Sequence, residues 1–301
     1  DSTTDPAAET YFALGWLAIE RQDWERAFNM LQRLTKNFPT NGLTPAALLE
    51  MGTTRLRVNK PDQAIAIWES IWQKYPDSSA RLDALIEAGT QLYRQENYQK
   101  AIETFKILLK STSDDSLKAH GYRLYGAALQ ETGDEQEALA AYQSGLKLTP
   151  SPEDEEEMLF AAGYLAHKYG NDRQAVDHLN DLFEKYPEGT RIAEGLFWLG
   201  ESRYAAGNPH GAESVYRILL QRFPKSDLLA EARYGRAWAL YKAGEYTTAA
   251  KAFGNYVKSY PDGKYVTDAE LKIADSYFSA KDYVRAERVY HAFYQKYSGA
   301  L

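Results

Sequence analysis

The sequence predicts an all-α fold, a solenoid of eight helix-turn-helix repeats, and three columns of residues predict it. Alanine falls at Ala27, Ala64, Ala101, Ala138, Ala175, Ala212, Ala249 and Ala286, each 37 residues after the last. Twelve residues before each stands a small residue: Gly15, Gly52, Gly89, Gly126, Gly163 and Gly200, then Ala237 and Ala274. Four residues after each stands a large apolar one: Leu31, Trp68, Phe105, Tyr142, Leu179, Tyr216, Phe253 and Tyr290. A period kept without insertion or deletion is the mark of stacked units that bury their apolar faces only against one another.

Residues Tyr234 to Pro261 are the clearest unit. Ala237, Leu240 and Tyr241 form one apolar stripe and Ala249, Phe253, Tyr256 and Val257 a second, both at helical spacing. Between them Ala-Gly-Glu-Tyr breaks the helix, with Gly244 suited to the left-handed geometry of a C-terminal cap. The break recurs around Gly133, Gly170 and Gly207. Proline closes the second helix at Pro39, Pro76, Pro150, Pro187, Pro224 and Pro261, because it lacks a donor and restricts the residue before it. Ser113 and Ser298 hold that position in the other two units. A glycine inside a helix costs about 1 kcal/mol relative to alanine, so the repeated mid-helix glycine implies close approach of the paired helix. The alanine that opens the second helix is expected to form the opposite wall.

The repeats run approximately over 5–41, 42–78, 79–115, 116–152, 153–189, 190–226, 227–263 and 264–301. Residues 1–7 are polar, and the first helix is expected from near Ala8. Repeat three ends in Ser-Thr-Ser-Asp-Asp instead of an aromatic and a proline, which predicts a looser link over 111–116. The acidic run from Pro152 to Glu157 opens repeat five, either as a helix N-terminus with carboxylates complementing the dipole or as an acidic docking patch. The last helix carries Tyr290, Phe293, Tyr294 and Tyr297 with no polar cap after it. Solenoid ends need such a cap, so these four residues are a candidate end-to-end interface, through further chain or a second copy.

This pattern resembles the tetratricopeptide repeat family, and the resemblance covers nearly the whole chain. The unit is three residues longer than the 34 usual in that family. With endings such as Lys-Tyr-Pro-Asp-Ser and Ser-Tyr-Pro-Asp-Gly, it is similar to repeats of bacterial envelope proteins, including the Tol-Pal-associated periplasmic protein and the lipoprotein of the β-barrel assembly machinery. The resemblance implies a right-handed α-α superhelix forming a single domain over 1–301, a periplasmic location and a protein-binding role. It also implies that the first helix of each pair lines a concave face. The columns so implied bring together Phe160, Tyr164, Phe197, Tyr204, Tyr234, Trp238 and Tyr241, bordered by Glu157, Glu194, Glu231 and Asp268. Rigid aromatic surface is the material of binding hot spots, and the acidic border favours a peptide or protein segment carrying Lys or Arg. The same aromatics at helical spacing also suit packing between neighbouring helices.

Composition narrows the partners. The formal charge is −7 over 301 residues and the pI about 5.4, with Lys and Arg dispersed, so nucleic acid and anionic membrane are disfavoured. No run reaches the roughly 20 apolar residues of a membrane span. Cysteine is absent, which removes disulfides and thiolate chemistry. The chain begins at Asp1, as expected of a processed or excised piece. His120, His167, His178, His210 and His291 form no ligand-spaced pair, and nucleophile-elbow and phosphate-loop motifs are missing. No enzyme activity, metal or cofactor is therefore expected. Three functions stay open: an envelope scaffold binding a peptide in its groove, a module that self-associates through its last helix, and an accessory for polysaccharide binding or export.

Overall fold

The computed structural model describes residues 5–298, all of whose regular secondary structure is helical. The chain divides into two compact units, one ending at Asp154 and one beginning at Glu155. The first holds the pairs α1 (Pro6–Glu20) and α2 (Trp24–Asn37), α3 (Thr44–Arg57) and α4 (Pro61–Lys74), α5 (Ala80–Arg94) and α6 (Tyr98–Ser111), and α7 (Asp115–Thr132) and α8 (Glu135–Leu146). α9 (Pro152–Lys168) starts in the last residues of the first unit, and its remainder belongs to the second. There follow α10 (Asp172–Lys185), α11 (Ile192–Ala205), α12 (Pro209–Arg222), α13 (Leu229–Lys242), α14 (Tyr246–Ser259), α15 (Val266–Ser279) and α16 (Tyr283–Tyr297).

Within a pair the turn is the same eight times. Asp23 N–H donates to Ala18 O, Lys60 to Arg55, Asn97 to Leu92, Asp134 to Leu129, Asn171 to Ala166, Asn208 to Arg203, Glu245 to Leu240 and Asp282 to Tyr277, all at 2.8–3.0 Å. This six-to-one bond satisfies a carbonyl at the end of the first helix and requires a left-handed residue just before the donor. Gly133, Gly170, Gly207 and Gly244 supply it with φ of 74–85°, and Gln22, Asn59, Glu96 and Lys281 adopt it with φ of 58–61°. Glycine was thus a true signal in half of the turns and silent in the rest.

The mid-helix glycines do mark close approach, but the wall they face differs from the one expected. A Cβ on Gly52 would lie 2.1 Å from the Trp68 indole, one on Gly89 2.4 Å from the Phe105 ring, and one on Gly200 2.6 Å from the Tyr216 ring. Gly15 and Gly163 meet Leu31 and Leu179 in the same way, and Gly126 meets Tyr142. The opposing wall is therefore the bulky column, one turn beyond the alanine. The alanines themselves are buried beneath it. Trp68 is further pinned by donating from Nε1 to Leu49 O at 3.0 Å. Inside each unit a second helix then packs on the first helix of the next pair, as α2 on α3, α4 on α5, α12 on α13 and α14 on α15.

One local expectation is corrected and one open choice is narrowed. The link after α6 is short: it spans only residues 112–114, and α7 is the longest helix, at 18 residues. The Ser-Thr-Ser-Asp-Asp stretch works as a cap, with Asp114 Oδ1 accepting from Leu117 N–H at 2.8 Å and Thr112 Oγ1 from Asp114 N–H at 3.1 Å. The acidic run opens α9 as a helix N-terminus with Pro152 in its first turn, and three of its carboxylates also take particular partners. Asp154 accepts from His120 Nδ1 at 3.0 Å and from Arg123 Nε, and the paired cations outweigh burial to hold its carboxyl down at about 2. Glu155 accepts from Lys185 and from Tyr186 at 2.6 Å, and Glu156 from Arg191 N–H at 2.9 Å.

Replacing Gly52 by alanine forces the Trp68 indole out of its contact, and overpacking of this kind costs about 1–3 kcal/mol. Urea denaturation should show a correspondingly lower midpoint; an unchanged midpoint would mean the pair separates freely. Glu96→Gly should act in the opposite sense, gaining about 0.5 kcal/mol because relief of left-handed strain exceeds the added unfolded-state entropy. A melting temperature lowered by Glu96→Gly would contradict that account of the turn.

Candidate functional site

In the second unit the first helices of successive pairs lie side by side, and the space between α11 and α13 is left open. A cavity of about 310 Å³ is lined there by Phe197, Glu201 and Tyr204 of α11 and by Glu231, Tyr234 and Trp238 of α13. Tyr216 of α12 forms its floor, Gly235 breaks the α13 wall, and Tyr265 closes one end from just before α15.

Each wall is held from behind. Tyr216, fully buried along its ring, donates its hydroxyl to Glu201 Oε1. Its path runs beside Gly235, where a Cβ would come within 2.9 Å of Tyr216 Cζ. Burial first, then the charge of Glu201, raises the Tyr216 phenol well above its ordinary range, so it stays a neutral donor. Tyr204 is raised by the same two causes. Tyr234 donates to Asp268 Oδ2 at 2.6 Å and stacks on Tyr265 with centroids 4.3 Å apart and planes 8° from parallel. Burial and the Asp268 bond raise its phenol too. Trp238 stands edge-on to Tyr234, Tyr241 and Phe253 at 5.9–6.5 Å, and Lys272 Nζ lies 5.1 Å from its ring centre.

Five of the residues singled out in the sequence thus meet at one cavity: Phe197, Tyr204, Glu231, Tyr234 and Trp238. Tyr241 lies behind Trp238 and shares a hydrogen bond of 3.2 Å with Ser279. The others lie apart. Phe160 is buried beneath Arg191, whose Cζ sits 3.9 Å from the ring centre, and Glu194 pairs with the same Arg191 at 3.1 Å. Tyr164 packs edge-on against Trp198 at 4.9 Å, and Glu157 is exposed. Glu201, Tyr216, Gly235 and Tyr265 were missed. Tyr216 reads as core by its column, and Tyr265 stands outside any helical stripe. The available signal was column variation: Gly235 stands where the adjoining repeats have Trp198 and Lys272.

The four aromatics proposed for the chain end are split. Tyr290 is half-buried and donates to Asp275 at 2.7 Å; Phe293 and Tyr297 pack together at 4.6 Å, with Tyr297 donating to Glu270 at 2.8 Å. Tyr294 is 69% exposed beside Phe278 and Tyr283.

Electrostatically the lining is acidic, with Glu201 and Glu231 and no Lys or Arg among the residues that form it; Lys272, over Trp238, pairs with Asp275 at 2.6 Å instead. Neither Glu201 nor Glu231 enters an ion pair among the described residues. Among those residues no three metal-ligating side chains gather, and His120, His167 and His210 each face a single carboxylate. Such a site can bind a group with an apolar body and a positive end. No described helix is long and apolar enough to cross a membrane.

Comparison with known proteins agrees with this architecture. A search of curated proteins finds no match. Among solved structures, a tetratricopeptide repeat protein from Parabacteroides merdae is similar over 90% of this chain and 99% of its own, with 16% identity and a TM-score of 0.52. The C-terminal part of a TPR repeat-containing protein from Cytophaga hutchinsonii is similar over 82% of this chain and 94% of its own, at 16% identity and a TM-score of 0.56. YrrB, described as a TPR protein with an unusual peptide-binding site, is similar over 67% of this chain and 97% of its own, at 17% identity and a TM-score of 0.54. The family described as tetratricopeptide repeat-like domain matches residues 1–161, and the one described as tetratricopeptide repeat matches 197–264 and 234–300. With all-α repeats built on this pattern along the chain, the protein belongs to the tetratricopeptide repeat family.

Proposed function

We propose that the protein is a non-catalytic interaction scaffold of the bacterial cell envelope, and that the second unit holds a Lys- or Arg-bearing segment of a partner protein against the aromatic surface of α11 and α13. The observation that carries this reading is the cavity itself: rigid aromatic walls with two carboxylates that enter no ion pair among the described residues. Tyr and Trp offer large contact area at small entropic cost and dominate interface energetics, while the carboxylates orient a basic segment and speed its arrival. The peptide-binding site ascribed to YrrB, a protein of like fold, adds support for a peptide ligand. The envelope assignment, periplasmic at its most specific, rests on the 37-residue form of the repeat and its Tyr-Pro endings.

A pull-down from envelope and cytoplasmic extracts tests both parts, with wild type beside a Phe197→Ala, Tyr234→Ala, Trp238→Ala variant of unchanged helicity. The expected outcome is an envelope protein captured by wild type and lost by the variant. A partner retained by the variant would place binding elsewhere on the molecule. Capture of glycan instead of protein would favour the polysaccharide role.

One observation favours a second reading, self-association. Phe278, Tyr283 and Tyr294, 57–69% exposed, face one depression beside α16. Sedimentation should then show an oligomer that Tyr294→Glu dissolves; a wild type that stays monomeric at high concentration would end this reading.

A further inference from the structure

The spaces between first helices in the second unit are built from the same columns, and comparing them shows what the open one lacks. Between α9 and α11, Phe160 is covered by the Arg191 guanidinium at 3.9 Å, which also pairs with Glu194 at 3.1 Å. One repeat later the ring and the carboxylate are kept, as Phe197 and Glu231, but the position of Arg191 is taken by Leu228. One repeat later again that position is Tyr265, stacked on Tyr234. A second column behaves alike. Trp198 fills its space against Tyr164 and Lys272 lies over Trp238, whereas Gly235 between them fills nothing. The cavity is thus an aromatic-carboxylate seat from which the chain's own guanidinium is missing. The chain makes the complete triad elsewhere too: Arg55 sits 3.5 Å over Phe28 while pairing with Glu25 at 2.9 Å.

We propose that the α11–α13 cavity is a socket for a single arginine side chain of a partner peptide, its guanidinium taking beside Phe197 and Glu231 the place that Arg191 takes beside Phe160 and Glu194. This rests on the reading of the cavity as a peptide site and names the residue that the site selects. Arginine fits better than lysine because a planar guanidinium lies flat on a ring while its fork of donors reaches two carboxylates, here Glu231 and the free oxygen of Glu201. An ammonium is a more strongly hydrated point charge with three donors.

The test titrates capped pentapeptides Gly-Gly-X-Gly-Gly, with X arginine, lysine or citrulline, against wild type, Leu228→Arg, Leu228→Met and Glu231→Gln by ligand-observed NMR. Wild type should bind the arginine peptide about threefold tighter than the lysine peptide and about tenfold tighter than the uncharged citrulline isostere. Leu228→Arg places the chain's own guanidinium in the seat and should weaken arginine binding about tenfold, with Leu228→Met unaffected and Glu231→Gln weakened about fivefold. Leu228→Arg or Glu231→Gln binding as wild type does would overturn the socket, as would lysine matching arginine. Equal binding of all three peptides, abolished in the Phe197, Tyr234, Trp238 variant, would remove the arginine socket and leave the peptide site standing. Binding of none of them would remove both.

Discussion

The structure depends on one contact, made in six of the eight pairs: a large side chain of the second helix lying against the bare backbone of a glycine in the first. Glycine in mid-helix sacrifices about 1 kcal/mol of helix stability, while full burial of a Trp, Tyr, Phe or Leu side chain returns about 1.5–3 kcal/mol. The balance favours the contact only while the approach stays close. Gly52 and Trp68 show the extreme, with no room for even a methyl group. Ala237, buried in one cluster with Phe253, shows that the position also accepts a methyl group. Once the two helices are locked, their orientation fixes which face each offers to the next pair. The strict 37-residue spacing then follows, because a shift of one residue would turn the glycine away from its partner.

Since that contact consumes the small, alanine and bulky columns, the columns facing the space between first helices are free to differ. The differences are chemically coherent. Arg191 covers Phe160 and Trp198 packs on Tyr164, Tyr265 and Lys272 cover Tyr234 and Trp238, and the equivalent positions over the open cavity hold Leu228 and Gly235. An open cavity can therefore arise in a repeat array without any change to the small, alanine and bulky columns, through differences at positions outside them.

The same division explains what could be read from the chain. Helix pairs, their order and the close approach at glycine were legible because they recur with the period and depend on contacts made inside a single repeat. The partner of each glycine was misassigned by one turn, since the alanine and the bulky column are both invariably on the inner face and only the side-chain length separates them. The left-handed turn was legible at Gly133, Gly170, Gly207 and Gly244 but not at Gln22 or Glu96, where the six-to-one bond imposes a conformation that the residue itself disfavours. At the cavity, Phe197, Tyr234 and Trp238 could be found from their columns. Tyr265 and Arg191 could not, because each acts on a ring 31 residues earlier in the sequence, across a gap that no local periodicity records. Phe160 shows the cost of this: its column matches Phe197, yet a single arginine from the next repeat removes it from the surface.

How firmly the walls are held bears on what the cavity can discriminate. Tyr216 is fixed by burial and by Glu201, Tyr234 by Asp268 and a stacked ring, and Trp238 by three aromatic neighbours and Lys272. These side chains have little rotamer freedom left to lose, so a ligand entering among them avoids most of the ordering cost that weakens association, about 0.5–1.5 kcal/mol per immobilised side chain. Glu231 is the exception, since no hydrogen bond or ion pair restrains it among the described residues. The apolar walls are therefore fixed by the chain's own contacts, whereas the Glu231 carboxylate is held by none of them; if the cavity takes a ligand as proposed, shape would be set by the rings and the charge would be left to adjust.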